Sequence, residues 1–348
     1  MIYMGNLDTS IFDLNKAYTQ KDLVLVLGAG VSMDCNLPNW NTMMHSLQLS
    51  ILEDKFNSFD ITINPIDINR IFTDIIRIFN QLINPSPLIA ARYVQNILKQ
   101  DAKDANAYEN RVHKALYPTG SLIFGPQIHE AIFQLLIDGR NESGINSIIT
   151  YNFDDFLDMF LEEKGILCKS IYSLGMKASF NEIPIYHVHG FLPLNIKSDI
   201  KNRIILSGKE YHKQYMDMYS WNNLVQIDKF CNNTCLFIGI SLADPNLRRL
   251  LDIALEQNPN KQHYAIVKRY NEKEMGEKVW DFYSTGDKKR ITDVTIVHNF
   301  DEIVSKLIGY YEDFLNRDAL ELGIKTIWVN DYNEIPGKLN RIRKGPLV

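Results

Sequence analysis

The 348 residues are 45% hydrophobic and 23% charged, a composition that excludes a disordered chain and allows a sizeable core without disulfide staples. The formal net charge of -5 gives no general attraction to polyanions, so no direct nucleic-acid binding is expected. Four cysteines, no basic-then-apolar leader in Met1–Asp13 and no apolar stretch long enough to span a bilayer predict reduced thiols in a cytoplasmic protein without membrane attachment.

Taken in chain order, Leu23 to Leu27 is a continuous apolar run ending at Gly28-Ala29-Gly30, which reads as a strand buried on both faces and followed by a tight turn. From Asn41 to Phe124 the pattern becomes helical, with stretches such as Ile68 to Leu82 and Leu88 to Lys99 separated by Pro85 and Pro87. Lys99 to Asn110 reads as an exposed loop or helix end, and Lys197 to Arg203 as a solvated connection. Short apolar runs recur at Ile145 to Thr150, Ile183 to Val188, Ile204 to Leu206, Cys235 to Ile240, His263 to Val267, Val294 to Val297 and Lys325 to Val329. Their alternation with helical segments predicts right-handed βαβ units in a doubly wound, mainly parallel Rossmann-like sheet, with ligands beyond the carboxyl ends of its strands. The expected organisation is one domain over 1–348, with a helical insertion near 41–125 and two similar βα units near 290–348 that complete the sheet. The basic run Arg341, Arg343 and Lys344 reads as a solvated terminus.

The chemistry concentrates at predicted strand ends. Leu23 to Ser32, LVLVLGAGVS, offers two glycines that permit close backbone approach and a hydroxyl at an expected helix start, parts that suit a diphosphate. Met33 stands where the dinucleotide fingerprint needs a third glycine, which disfavours a hydride-transferring dehydrogenase. Alone, the turn fits a structural role as well as a nucleotide site. Asn152 could start the helix that follows, His187 could satisfy a backbone group near a strand end, and Asp244 to Asn246 read as the cap of the next helix.

The ordered set decides. CNLPNW at Cys35 to Trp40, TYNFDDFLD at Thr150 to Asp158, HVHG at His187 to Gly190 and FIGISLADPNL at Phe237 to Leu247 follow the glycine turn in an order that resembles the sirtuin (silent-information-regulator) family over roughly Leu23 to Leu250. The chain is most similar to the prokaryotic antiphage-defence branch, which includes Thoeris-type NADases and partners of HerA-type ATPases. The resemblance implies NAD as substrate and an NAD glycohydrolase that cleaves the nicotinamide–ribose bond. It implies catalytic roles for Asn152, Asp154 and His189, and cofactor contacts from Gly28, Ala29, Gly30, Ser32, Pro38, Trp40, Thr150, Gly239 and Ser241. A homo-oligomer or a HerA-type ATPase partner is expected on the same ground.

Deacylases of the family carry two CxxC pairs for a structural zinc between the His-Gly pair and the Gly-x-Ser strand end. Here that interval holds Cys231 and Cys235 alone, with Cys35 and Cys168 far away, so no zinc ribbon and no metal are expected. Ile240 and the CNLPNW loop also depart from the family pattern. Water is the expected acceptor; a deacylase or ADP-ribosyltransferase, and a non-catalytic NAD or ADP-ribose sensing subunit, are the alternatives.

Overall fold

Leu23–Leu27 forms strand β1, and none of its five side chains can face water because both faces of the sheet are covered. Leu23, Leu25 and Leu27 pack into one core, Val24 and Val26 into the other, the period of two expected of a central parallel strand. The computed structural model describes residues 4–57, 65–83, 87–100, 107–118, 120, 122–137, 144–195, 216–285 and 300–345. The sequence-predicted strands at 204–206 and 294–297, and the connection at 197–203, lie outside these.

Six further strands join β1: β2 (Ile145–Thr150), β3 (Cys168–Ile171), β4 (Ile183–His187), β5 (Thr234–Ile238), β6 (His263–Lys268) and β7 (Ile324–Val329). The order is β3-β4-β2-β1-β5-β6-β7, and every pairing is parallel. The chain therefore folds as the expected α/β Rossmann-like sheet. Winding proceeds outward from β1 through β2 and then crosses back to β5, so the direction reverses between β1 and β5, the place where such sheets open a crevice at their carboxyl edge.

Helix α1 (Met4–Thr19), which the sequence reading did not anticipate, covers one face through Ile11, Leu14 and Tyr18. Across Asn41 to Phe124 run α2 (Trp40–Asn57), α3 (Pro65–Ile83), α4 (Pro87–Gln100) and α5 (Ala107–Leu116), followed by α6 (Gln127–Ile137) on the sheet. Residues of α2, α4 and α5 make a separate core that is sealed onto the sheet by Phe153 and Phe156, the residues flanking the acids at the end of β2. Beyond it come α7 (Phe156–Glu163), α8 (Trp221–Asn232), α9 (Pro245–Gln257), α10 (Glu272–Thr285), α11 (Phe300–Glu321) and α12 (Ile335–Lys344). The basic run lies in the last turn of α12, where cations complement the helix dipole; Lys344 is exposed, and Arg343 donates to Gln134 of α6 at 3.3 Å.

Asp244 caps α9, its carboxylate accepting from the Leu247 N–H at 2.8 Å ahead of Pro245 at the first turn. Asp244→Ala is expected to lower stability by about 1 kcal/mol, read as a shift in denaturant midpoint at unchanged slope. No helix among the described residues is long and apolar enough to cross a membrane.

Candidate active site

The strand ends converge through three glycines. A Cβ on Gly28 would lie 2.5 Å from the Gly239 carbonyl oxygen, one on Gly30 would lie 2.7 Å from Gly239 Cα, and one on Gly239 would lie 2.8 Å from Gly30 Cα and Val31 N. The close backbone approach that the GAG turn permits is thus to the loop leaving β5. Gly28 N–H and Gly30 N–H donate to the carbonyls of Ile238 and Gly239 at 3.0 and 2.9 Å, and the N–H groups of Val31 and Ser32 close back on Gly28 and Ala29. Two short 3-10 turns, Ala29–Val31 and Met33–Cys35, follow instead of the helix expected at Ser32. The expected helix start at Ser32 is corrected, and the N–H groups of Gly28, Gly30, Val31 and Ser32 are engaged within the protein.

That turn holds Asn152. At the end of β2 its side-chain nitrogen donates to the Gly28 carbonyl at 3.0 Å and to Ser32 Oγ at 2.9 Å, while its backbone N–H donates to Thr150 Oγ1 at 3.1 Å. Asn152 therefore does not cap the next helix; Asp155 stands at that position. Ser32 is buried beside Asp154, so the hydroxyl that receives the amide also neighbours the acid. Burial pushes the Asp154 carboxyl up to about 6, against the Ser32 hydroxyl and the Phe156 N–H, which hold it down.

Asp155 faces the helical layer, accepting from Leu194 N–H at 2.9 Å and from Tyr117 O–H at 3.4 Å. The acid run thereby ties the insertion and the segment after Gly190 to the end of β2.

His189 lies in the turn just past β4, buried, with its ring 4.5 Å from that of Tyr151. Burial pulls its proton affinity below the ordinary histidine value, with Asp244 working the other way. Tyr151 in turn donates to Gln226 of α8. His187, in contrast, pairs with Asp158 of α7 and contacts the Asn152 backbone carbonyl. The sequence reading of a histidine satisfying a backbone group fits part of this; the pairing with Asp158 was missed, although an acid in the first turn of the following helix was its signal.

Not every candidate joins the cluster. Leu37 and Trp40 pack with the helical core, Trp40 opening α2 with Asn39 accepting from Thr42 N–H at 2.9 Å. Pro38 is half-buried between them. Ser241 is exposed and its hydroxyl accepts from Ala243 N–H at 3.2 Å, while Ala29 is half-buried on the turn itself. Among the described residues no group of three or more His, Cys, Asp or Glu is arranged to hold a metal.

A parallel Rossmann-like sheet with an Asn, an Asp and two histidines gathered at the carboxyl ends of β2 and β4, against a glycine turn at the switch point, defines a class. Residues 146–285 match the family model described as SIR2-like domain. It is also similar to NAD(+) hydrolase ThsA of Bacillus cereus (strain MSX-D12), 21% identical over 337 residues that cover 95% of this chain and 56% of that protein. The chain thus spans little more than half the length of the curated relative it matches.

Proposed function

We propose that the chain hydrolyses NAD at the bond between nicotinamide and ribose, with water as acceptor, giving nicotinamide, ADP-ribose and a proton. The observation that carries this reading is the meeting of Asn152, which donates to Ser32, with the buried Asp154 at the carboxyl edge of β1 and β2. The similarity to a protein named as an NAD(+) hydrolase supports it.

Nicotinamide leaves as a neutral molecule, so the site needs no acid for the leaving group. Positive charge develops on the ribose as the bond breaks, and the Asp154 carboxylate opposes it from a buried position where its field is little screened. With the Asn152 nitrogen engaged by the glycine turn, its side-chain oxygen is the atom offered to a water or a ribose hydroxyl. His189, kept neutral by burial, takes the proton. Gly28, Ala29, Gly30 and Ser32 present the turn surface to the diphosphate, with Thr150 and Gly239 beside it; Pro38, Trp40 and Ser241, which lie apart from the cluster, are assigned to the rest of the dinucleotide by the family resemblance alone.

Incubation of the purified chain with NAD and chromatographic resolution of nicotinamide and ADP-ribose tests the reaction. An acyl-lysine peptide in a parallel reaction tests water as acceptor, and intact NAD that stays bound identifies a sensor instead. His189→Ala is expected to slow turnover about 10²–10⁴-fold, the range for loss of a general base, without a change in the far-ultraviolet spectrum.

Turnover should also fall as pH drops through about 6, where Asp154 takes up a proton. The sign for stability is opposite. A carboxyl raised above its unfolded value binds its proton more readily in the folded chain, so this group adds stability as pH falls from about 6 toward 4. Rates and denaturant midpoints of wild type and Asp154→Asn across one pH series check both signs, since the variant lacks the titrating group.

The antiphage-defence role, the homo-oligomer, the HerA-type ATPase partner and action on the cytoplasmic NAD pool are carried by the family resemblance. Cellular NAD measured through a phage infection, with and without the chain, tests them.

A further inference from the structure

His187 ends β4 with no exposed surface, and both nitrogens of its ring face oxygens that only accept. Nε2 lies 3.1 Å from Oδ1 of Asp158, and Nδ1 lies 3.3 Å from the backbone carbonyl oxygen of Asn152. A neutral imidazole has one N–H and one lone pair, so between a carboxylate and a carbonyl one of the two contacts would set a lone pair against an oxygen. An imidazolium donates at both. Ser170 Oγ–H donates to the same Asp158 oxygen at 2.5 Å, and the Phe191 ring packs against the imidazole with centroids 4.6 Å apart.

The electrostatics agree with the geometry. Burial works against charge on this ring, but Asp158 outweighs it and raises the imidazole's proton affinity above its ordinary value, with Asp154 at the end of β2 adding in the same direction. Burial also works against the Asp158 carboxylate, which His187 and Ser170 nonetheless hold below the usual range. Cys168 of β3, whose thiol is pushed up to about 12 by burial and nearby acids, and His129 of α6, pulled down to about 4 by burial, are both neutral around the pair. A buried ion pair contributes little stability over an apolar replacement of the same shape, so its use here is better sought in what it orients.

We propose that His187 is a positioning residue: as an imidazolium locked to Asp158, it pins the Asn152 carbonyl and thereby fixes the end of β2 from which the Asn152 side chain reaches the glycine turn. The proposal rests on the NAD-hydrolysis reading for what Asn152 does, and on the ring's two contacts for how it is held. A displacement of about 1 Å in a positioned group costs on the order of a hundredfold in rate, which sets the expected effect.

Histidine-selective ¹⁵N NMR on the whole chain counts the ring protons. At neutral pH the resonance removed by His187→Gln is expected to show two protonated nitrogens in the wild type, and one in Asp158→Asn. A wild-type ring bearing a single proton overturns the proposal, and that measurement needs neither turnover nor a stable Asp158 variant. In NAD hydrolysis, Asp158→Asn is expected to lower kcat about a hundredfold with KM changed by less than about twofold, and Asp158→Glu to recover part of the loss. An unchanged kcat, or a loss entirely in KM, overturns the positioning role. A wild-type chain that leaves NAD intact counts against hydrolysis alone; the ring-proton count and faster hydrogen exchange of the Asn152 side-chain amide in Asp158→Asn then decide the positioning role, slow exchange in both forms overturning it.

Discussion

Asn152→Ala should reduce NAD turnover by at least about a hundredfold while leaving the chain folded, the size of effect seen when one oriented polar group is removed from a reacting centre. The side chain is half-buried and packs in none of the three large cores, so its loss opens little apolar space. What disappears is a donor to the Gly28 carbonyl and to Ser32, the hydroxyl that neighbours Asp154. Asn152→Asp sharpens the test. It keeps the shape, but a carboxylate cannot donate, and it would set its oxygens against the Gly28 carbonyl. Both variants should therefore lose activity together. Product-resolved turnover beside a thermal melt reads the outcome, and wild-type turnover in either variant removes Asn152 from the mechanism.

The fold was legible wherever one physical rule acted alone. Five apolar residues at Leu23–Leu27 admit hardly any environment except the centre of a parallel sheet, and the paired prolines between Ile68 and Lys99 mark a helix break without tertiary help. Strand β3 was missed because Cys168–Ile171 is an edge strand with an exposed Lys169, short and lacking an apolar run. Helix α1 was missed for a related reason: its burial depends on α12, more than 300 residues away, and no local pattern announces that partner.

The site was legible as positions and illegible as contacts. The motif order brought Asn152, Asp154 and His189 to strand ends, but hydrogen-bond partners depend on which loops meet, and that is set by sheet order. The glycine turn shows the difference most clearly, since a ligand and a neighbouring backbone demand the same absence of Cβ. His187 shows it again. From sequence it is one of two alternate residues in HVHG, and its pairing with Asp158 arises only when β4 docks beside β2 and α7 folds back over their ends.

Gly239→Ala is expected to be the most destabilising single methyl in the molecule's carboxyl edge, at about 2–5 kcal/mol, because two independent costs meet there. The backbone at φ +64° is left-handed, which costs an L-residue about 1–2 kcal/mol. The new Cβ would also lie 2.8 Å from Gly30 Cα and Val31 N, backbone atoms that can give way only by separating the loops after β1 and β5, adding about 1–3 kcal/mol. Gly165→Ala isolates the first cost, since φ there is +76° and nothing lies within 4 Å of the added carbon. Gly28→Ala isolates the second, with extended backbone at φ -122° and a contact of 2.5 Å to the Gly239 carbonyl oxygen. Denaturant midpoints of the three variants should place Gly239→Ala lowest and near the sum of the other two. Separating these loops also moves the Gly28 carbonyl that Asn152 donates to, so the Gly239 and Gly28 variants should lose turnover under conditions where they remain folded, and Gly165→Ala should keep it. If Gly239→Ala were no costlier than Gly165→Ala, the packing of backbone against backbone at the switch point would not be what requires these glycines.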